Sequence, residues 1–284
     1  MKTFSKKSLP LIIILSFFMI RANAQSLNSC CSKSSTVAFA MLSKDESFKA
    51  SHLSPLPFHY VSQKGKMIEF KTSDGKTAAA FEIKSDKPTT NYLFVIHEWW
   101  GLNDYIKQEA EKLQNTLMNV NVIALDLYEG KVATNPDDAQ KYMGDTKEDR
   151  IRAIIKGAID YAGKDASIQT IGWCFGGGWS MQASLMAGRQ GTGCVMYYGM
   201  PEKDPAKLKA LNAPVLGIFA SKDGWINPEV VSAFVKDMKL AGKELTVKSY
   251  EADHAFANPS NPKYDKESAD DAHTRAVEFL KKHL

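Results

Sequence analysis

The stretch IGWCFGGGWS, residues 171–180, places one cysteine between an apolar run and three consecutive glycines. The residues before Cys174 predict a β-strand and those after it predict a helix, so the cysteine falls at a strand-to-helix turn. Gly172 and Gly176 lie two residues to either side, which is the nucleophile-elbow spacing with cysteine in place of serine. At such a turn both backbone limbs pass close behind the nucleophile, and side chains at the two glycine positions would clash. The pattern indicates acyl transfer by a thiolate.

A plainer interpretation stays open for these residues taken alone. Free cysteine is among the most buried residue types, and glycine-rich turns after strands also open nucleotide-binding helices. Cys174 occupies the position at which the dinucleotide fingerprint needs its second glycine, so the nucleotide interpretation is disfavoured. Whether Cys174 is a nucleophile or a core residue therefore depends on the partners that the rest of the chain brings to it.

An acid and a histidine follow Cys174 in the chain order that elbow enzymes use. Asp223 comes just after the apolar run APVLGIFAS, and His254 lies in the loop after ELTVKSYE. Because open α/β sheets hold their sites at the carboxyl ends of strands, we expect the three side chains to meet there. A thiol of ordinary pKa, about 8.5, needs a base at neutral pH, which His254 would supply and Asp223 would orient. Each partner alone could be an ordinary loop residue, but the three together favour a Cys-His-Asp triad.

The stretch HEWWG, residues 97–101, follows another buried strand and predicts the opposite side of the site. A loop in this position donates the second amide of an oxyanion hole, so we assign the hole to the backbone N–H groups of Trp99 and Phe175. Glu98 lies beside them, and the paired tryptophans indicate a pocket lining to which Trp100 contributes. The zinc motif HExxH is not completed, because Gly101 stands where its second histidine would be.

The elements that must position these residues alternate in type. A predicted hairpin, MIEFKT and TAAAFEIKS, precedes buried apolar strands that are separated by stretches with helical spacing. This alternation predicts an α/β fold, and the elbow makes it an α/β-hydrolase fold with a mostly parallel central sheet flanked by helices. We assign residues 58–284 to this single domain and residues 25–57 to an N-terminal arm with one short helix.

The first 24 residues contain four lysines or arginines and no acid, which accounts for the whole formal net charge of +4. The basic balance therefore gives no argument for a nucleic-acid partner. A lysine-bearing start, the apolar run LPLIIILSFFMI and the small residues Ala22 and Ala24 predict a signal peptide, residues 1–24, cleaved after Ala24. We expect an exported protein, periplasmic or secreted, without stable membrane insertion. An uncleaved anchor and a lipid-modified Cys30 are the alternatives.

The four cysteines fit export only in part. Adjacent Cys30 and Cys31 do not pair readily with each other, and a bridge from either to Cys194 or to another chain stays open. No CxxC pair occurs, which disfavours zinc-ribbon and thioredoxin-like sites. A redox role through a disulfide between Cys174 and Cys194 is a weaker alternative.

Taken together, the motifs HEWWG, ALDLY, GWCFGGG, YYG, SKDGWI and DHAFANP resemble the dienelactone hydrolase family of α/β-hydrolases, over roughly residues 58–284. The resemblance implies hydrolysis of small cyclic enol-lactones by a triad that falls on Cys174, Asp223 and His254. It also implies that the resting thiol is held near Glu98, which helps to generate the thiolate when substrate binds.

The resemblance further implies that Tyr198, in YYG, and Trp225, just after the triad acid, contact substrate. One position departs from the pattern. Family members that act on a diene-lactone carboxylate carry an arginine four residues after the histidine, where this chain has Asn258. An asparagine lacks the bidentate charge that would hold a carboxylate. Export is a second departure, since lactone intermediates of aromatic catabolism are handled in the cytoplasm.

We therefore expect an exported hydrolase that cleaves a small ester or lactone through an acyl-thioester on Cys174, with no metal and no organic cofactor. Its expected partner is a small molecule, and the chain is expected to be a monomer or a small homo-oligomer. Two alternatives stay open. One is a thioesterase or acyltransferase on the same scaffold, and the other is a non-catalytic binding module with a vestigial triad.

Overall fold

The computed structural model describes residues 1–2 and 34–284, and the second range belongs to one compact unit. The predicted signal peptide beyond its first two residues, together with Cys30 and Cys31, lies outside the described residues. Among the helices of the described ranges, none has both the length and the apolar character needed to span a bilayer.

Strands and helices alternate along residues 34–284 as the sequence predicts. The strands are β1 (Lys66–Lys71), β2 (Thr77–Ile83), β3 (Asn91–Ile96), β4 (Asn121–Leu125), β5 (Ser167–Trp173), β6 (Gly191–Tyr197), β7 (Val215–Ala220) and β8 (Leu245–Tyr250). The α-helices are α1 (Ser35–Leu42), α2 (Glu46–Ser51), α3 (Asp104–Leu117), α4 (Pro136–Asp145), α5 (Glu148–Ala162), α6 (Phe175–Ala187), α7 (Pro205–Ala210), α8 (Pro228–Leu240) and α9 (Lys266–Lys282). A 3-10 helix, Gly188–Gln190, follows α6.

The strands form one eight-stranded sheet in the order β1-β2-β4-β3-β5-β6-β7-β8. The pairs β1–β2 and β2–β4 are antiparallel, and the other pairs are parallel. The predicted hairpin is the β1–β2 pair, and the predicted α/β fold with a mostly parallel sheet is confirmed. Strands β4, β5, β6 and β7 are buried along almost their whole length, which is why they read as continuous apolar runs.

Helices α4 and α7 are two elements that the sequence analysis did not assign. Each begins with a proline directly after a capping side chain, which is a good local start for a helix. Asn135 accepts a hydrogen bond from the N–H of Asp138 at 3.0 Å, and Asp204 accepts one from the N–H of Ala206 at 2.8 Å. The arm also differs from the prediction, because it contains two short helices, α1 and α2, instead of one.

The two arm helices pack against the rest of the fold. Phe39 of α1 and Phe48 of α2 are both buried, with ring centroids 5.9 Å apart. The hydroxyl of Ser34, which caps α1, donates a hydrogen bond to the Glu148 carboxylate of α5 at 2.6 Å. Gln140 of α4 donates its side-chain amide to the carbonyl of Ser43 at 2.6 Å. Apolar burial and these polar contacts therefore hold the arm in place.

The first turn of α6 lies very close to β3 and β5. A Cβ atom on Gly176 would lie 2.3 Å from the carbonyl oxygen of Ile96 and 2.4 Å from that of His97. A Cβ atom on Gly172 would lie 2.1 Å from the carbonyl oxygen of Gly176. These neighbours are backbone atoms and cannot rotate away, so both positions of the predicted elbow require glycine.

We predict that Gly176→Ala lowers the free energy of unfolding by about 2 kcal/mol or more, because the added methyl group forces α6 away from β3. Gly144→Ala is the matched control. A Cβ atom at Gly144 meets nothing within 4 Å and lies on the exposed side of α4, so this change should be neutral or stabilise by about 0.5–1 kcal/mol. Urea unfolding followed by circular dichroism measures both, and equal stabilities for the two variants would contradict the close approach.

Candidate active site

Cys174 occupies the turn between β5 and α6 in a strained backbone conformation, with φ 57° and ψ −118°. Its N–H donates to the carbonyl of Tyr197 at 3.0 Å, and its own carbonyl accepts from the N–H of Gly177 at 3.0 Å. Helix α6 begins at the next residue, Phe175, so the positive end of the helix dipole lies beside the sulfur. The fold thus presents Cys174 as the sequence motif predicts.

His254 and Asp223 reach Cys174 from the loops after β8 and β7. The Nδ1 atom of His254 lies 2.5 Å from Oδ2 of Asp223, and its Nε2 atom lies 3.4 Å from Sγ of Cys174. The other carboxylate oxygen of Asp223 accepts hydrogen bonds from the N–H groups of Trp225 at 2.8 Å and Ile226 at 2.9 Å. The structure therefore brings the three predicted side chains into one hydrogen-bonded chain, with the acid oriented by the backbone.

Burial and charge act against each other in this chain. Burial alone would lower the pKa of His254, but the Asp223 carboxylate and the Cys174 sulfur raise it well above its ordinary value. Burial alone would raise the pKa of Asp223, but the imidazolium and its hydrogen bond hold it below its ordinary value. For Cys174 burial dominates and raises the pKa, although His254 and the N–H of Phe175 oppose it. The Asp223 carboxylate thus favours the imidazolium form of His254, and burial disfavours the thiolate form of Cys174.

The arm covers the hydrogen-bonded side chains of Asp223, His254 and Cys174. The sequence did not predict this contact. Cys174 is 1% exposed and His254 is 5% exposed. The ring of Phe48, on α2, lies 6.0 Å from the His254 ring and 5.0 Å from the Trp225 ring, between centroids. A nucleophile is expected to face an open pocket, whereas the sulfur here lies beneath packed side chains of the same polypeptide.

His52, at the end of α2, is the second arm residue at the site, and the sequence analysis did not single it out. Its ring lies 5.2 Å from the His254 ring and 4.7 Å from the Trp99 ring, and its side chain is buried. Burial and then the positive charge of His254 lower the pKa of His52 to about 3, so the ring is neutral. Its Nδ1 atom donates to the carbonyl of Phe48 at 2.7 Å, and within the described residues its Nε2 atom has no hydrogen-bond partner.

Glu98 does not hold the thiol in this structure, because Cys174 faces His254 instead. One carboxylate oxygen of Glu98 accepts from the hydroxyl of Tyr198 at 3.3 Å, and the other accepts from the side-chain amide of Asn258. Burial raises the pKa of Glu98 to about 7, against the opposing effects of His254, Asn258 and Tyr198. The negative charge of Glu98 in turn contributes to the raised pKa of Cys174.

The predicted aromatic residues lie around the same centre. The ring of Tyr198 stands edge-on to His254 with centroids 5.1 Å apart, and that of Trp225 does so at 5.9 Å. Trp99 is fully buried and packs against Trp100 at 4.9 Å between centroids. Phe175 is the first residue of α6, so its N–H lacks a partner within the helix, as an oxyanion-hole donor requires. The direction of the Trp99 N–H stays a prediction.

A cavity of about 130 Å³ lies next to Glu98. Trp100, Trp173, Tyr197 and Asn258 are among its lining residues, so apolar rings and a few polar groups meet there. Neither Cys174 nor His254 lines this cavity. Acyl transfer requires a nucleophile, so the hydrogen-bonded side chains of Cys174, His254 and Asp223 locate the chemistry.

Two chemically capable side chains near the site have structural roles. His97 donates from Nδ1 to the carbonyl of Glu98, and its Nε2 atom accepts from the N–H of Leu127 at 3.2 Å, so it joins the loops after β3 and β4. Cys194 is free and buried, and burial raises the pKa of its thiol to about 11. Cys174 is free as well, so the structure gives no support to a disulfide between them.

Comparisons with known proteins show which family this chain belongs to. The sequence profile described as "Dienelactone hydrolase family" matches residues 78–284, which leaves the arm outside the match. "Protein usf" of Aquifex pyrophilus is 32% identical over 231 residues, which cover 78% of this chain and 99% of that protein. A protein of Aquifex aeolicus, provisionally named a carboxymethylenebutenolidase, is 28% identical over 233 residues, which cover 78% of this chain and 99% of its own.

A solved structure supports the fold. The dienelactone hydrolase-like promiscuous phosphotriesterase P91, from metagenomic libraries, superposes with a TM-score of 0.63 at 20% identity. The match covers 78% of this chain and 99% of that one, and it confirms the predicted α/β-hydrolase architecture. The extent of the sequence match and the relatives over their nearly complete length establish that this chain belongs to the dienelactone hydrolase family of hydrolases.

Proposed function

We propose that this protein hydrolyses a small ester or lactone with Cys174 as the nucleophile. One observation carries the proposal: the chain from Asp223 through His254 ends 3.4 Å from a sulfur held at a positive-φ elbow. Neither a core cysteine nor a loop histidine needs that alignment, and an acyl-transfer site does. Membership in a hydrolase family gives independent support for the reaction class.

The reaction would proceed in two acyl transfers. The Cys174 sulfur attacks the substrate carbonyl and forms a C–S bond, while the carbonyl oxygen takes up the electron pair and is held by the N–H groups of Phe175 and Trp99. The C–O bond to the leaving group then breaks, and His254 gives its Nε2 proton to the departing alkoxide. In the second transfer, neutral His254 takes a proton from water, hydroxide attacks the thioester carbonyl, and the carboxylic acid leaves while the thiolate re-forms.

The Cys174 thiol must lose its proton before the first attack, and the buried groups around it indicate how the thiolate can form. Burial keeps the resting Cys174 neutral, so substrate contact has to favour the thiolate. Glu98, with a pKa of about 7, can exchange a proton at neutral pH, and its neutral form does not repel a thiolate. We infer that protonation of Glu98 accompanies ionisation of Cys174, with the charged His254 as the counter-ion.

Glu98 and Asn258 favour a neutral acyl group over one that carries a carboxylate. Glu98 borders the cavity. Asn258, at the position of the arginine found in other family members, donates its side-chain amide to Glu98. A substrate carboxylate placed there would meet a negative charge and no cation from these two residues. We therefore propose uncharged esters and lactones as substrates, in preference to the diene-lactone carboxylates that the arginine-bearing members take.

We expect Cys174→Ala to lower kcat/KM for the best substrate in a panel of small esters and lactones by at least ~10³-fold, because no other group would form the acyl-enzyme. Cys194→Ala is the matched control, since it removes a second buried thiol and should leave turnover close to that of the wild type. Circular dichroism must show that both variants are folded. Turnover retained by folded Cys174→Ala would contradict the proposal.

Glu98→Gln should lower the pKa of the Cys174 thiol by roughly 0.5–1 unit, because it removes a negative charge that disfavours the thiolate. The pH dependence of iodoacetamide alkylation, read at Cys174 by peptide mass mapping in metal-free buffer, measures this value. The alkylation midpoint is expected to move to lower pH. Glu251→Gln, at an exposed carboxylate, is the control and should leave the midpoint in place. A midpoint that rises or stays constant in Glu98→Gln would contradict the assigned role.

We propose in addition that the protein is exported, a proposal supported by the leader composition of residues 1–24. Expression of the full chain in a Gram-negative host, followed by intact mass measurement, tests it. The expected species begins at Gln25 and is released by osmotic shock. Replacing Ala22 and Ala24 by leucine should block cleavage, since signal peptidase requires small residues there. A full-length species in the cytoplasmic fraction would contradict export.

A further inference from the structure

Three buried side chains present ligand atoms to one point at the site. One ring nitrogen of His52, the Sγ atom of Cys174 and one ring nitrogen of His254 all lie within 4.8 Å of one another. Two of these residues belong to the candidate triad. The third, His52, comes from the arm, in a part of the chain that the family match does not reach. The cluster is therefore a feature of this chain's arm as well as of its hydrolase domain.

Both imidazole rings are already oriented as metal ligands usually are. A ligating histidine almost always donates its second ring nitrogen to a carboxylate or a backbone carbonyl, which fixes the tautomer and leaves the first nitrogen for the metal. His254 directs Nδ1 to the Asp223 carboxylate at 2.5 Å, and His52 directs Nδ1 to the Phe48 carbonyl at 2.7 Å. The Nε2 lone pair of His52 is thereby available inside the site.

The unpartnered Nε2 atom of His52 is a second, independent indication of a ligand. His52 is 3% exposed, and a buried ring nitrogen without a hydrogen bond destabilises the folded state. If His52 had only a packing role, an apolar ring of similar size would pack in the arm equally well. Instead, its ring lies 5.2 Å from the His254 ring between centroids, within a group of three side chains that offer ligand atoms.

We propose that His52, Cys174 and His254 form a zinc-binding site that joins the arm to the hydrolase domain. Two imidazole nitrogens and one thiolate are a donor set that Zn²⁺ accepts, with water as the fourth ligand. The distance of 3.4 Å between His254 Nε2 and Cys174 Sγ already matches the ~3.5 Å expected between neighbouring ligand atoms around tetrahedral zinc. The ring nitrogen of His52, which lies no more than 4.8 Å from the other two ligand atoms, has to approach them to complete the set.

Binding changes the protonation of the site in a definite way. Zinc binds the thiolate form of cysteine and an unprotonated ring nitrogen of histidine, so binding at Cys174 releases the thiol proton to solvent. Bound zinc would occupy both the proposed nucleophile and its base, so hydrolysis would stop. The proposed zinc would inhibit the enzyme and has no part in the hydrolysis proposed above. The inhibition of hydrolysis by zinc rests on the proposed function of Cys174 and His254, whereas the binding of zinc does not.

Zinc titration against a chromophoric chelator tests the site directly. The wild type is expected to bind one Zn²⁺ per chain, and Co²⁺ in its place should give a thiolate-to-cobalt charge-transfer band. His52→Gln should weaken zinc binding by ~100-fold or more, since loss of even an outer-sphere partner costs 10–100-fold. His59→Gln, at an exposed histidine, is the matched control and should bind as the wild type does. Circular dichroism checks that each variant is folded.

Two further readouts separate the outcomes. Zinc should inhibit esterase turnover of the wild type reversibly, with activity restored by chelator, and His52→Gln should need ~100-fold more zinc for the same fractional inhibition. Absence of stoichiometric binding, or equal affinity in the wild type and His52→Gln, would overturn the zinc site. If zinc binds with the thiolate band while Cys174→Ala keeps its esterase activity, the zinc site stands and the proposed catalytic role of Cys174 fails.

Discussion

The contact between Cys174 Sγ and His254 Nε2 depends on one backbone corner. The sulfur reaches the imidazole because Cys174 holds a positive φ between β5 and α6, and that corner exists only where α6 presses on the sheet without intervening Cβ atoms. The strain at one residue is balanced by ladder and helix hydrogen bonds on both sides. Everything else in the site, including the acid, the aromatic rings and Glu98, is arranged around a sulfur whose position the backbone sets.

Burial gives this site its electrostatic character. The thiol of Cys174, the imidazole of His254 and the carboxylates of Asp223 and Glu98 are buried at one site. Each charge therefore shifts the pKa values of the other groups strongly. The Asp223 carboxylate raises the pKa of His254, while burial raises the pKa of Cys174. The arm increases this burial, since Phe48 lies on His254 and Trp225. Because Cys174 is 1% exposed, a substrate carbonyl can contact the sulfur only after packed side chains shift.

The sequence predicted those parts of the molecule that local patterns encode. Short-range patterns predicted the alternating strands and helices, the glycines around Cys174, and the order of Asp223 and His254 along the chain. The structure brings the side chains of Cys174, Asp223 and His254 together. The contribution of the arm was missed because it depends on where α2 docks, which spacing alone does not specify. Phe48 and His52 do share one helix face at i and i+4, and that was the available signal. The hydrogen bond from Asn258 to Glu98 likewise joins two loops that are distant in sequence, so no local sequence pattern predicts it.

The central claim is that Cys174 carries the acyl group during turnover. Rapid acid quench of the wild type in the presence of its best ester, followed by peptide mass mapping, tests this most directly. The account predicts an added acyl mass on the peptide that contains Cys174, labile to hydroxylamine as a thioester is, and its disappearance once substrate is consumed. Turnover with no acylated peptide, or with the acyl group on a serine of α6 such as Ser180, would contradict it.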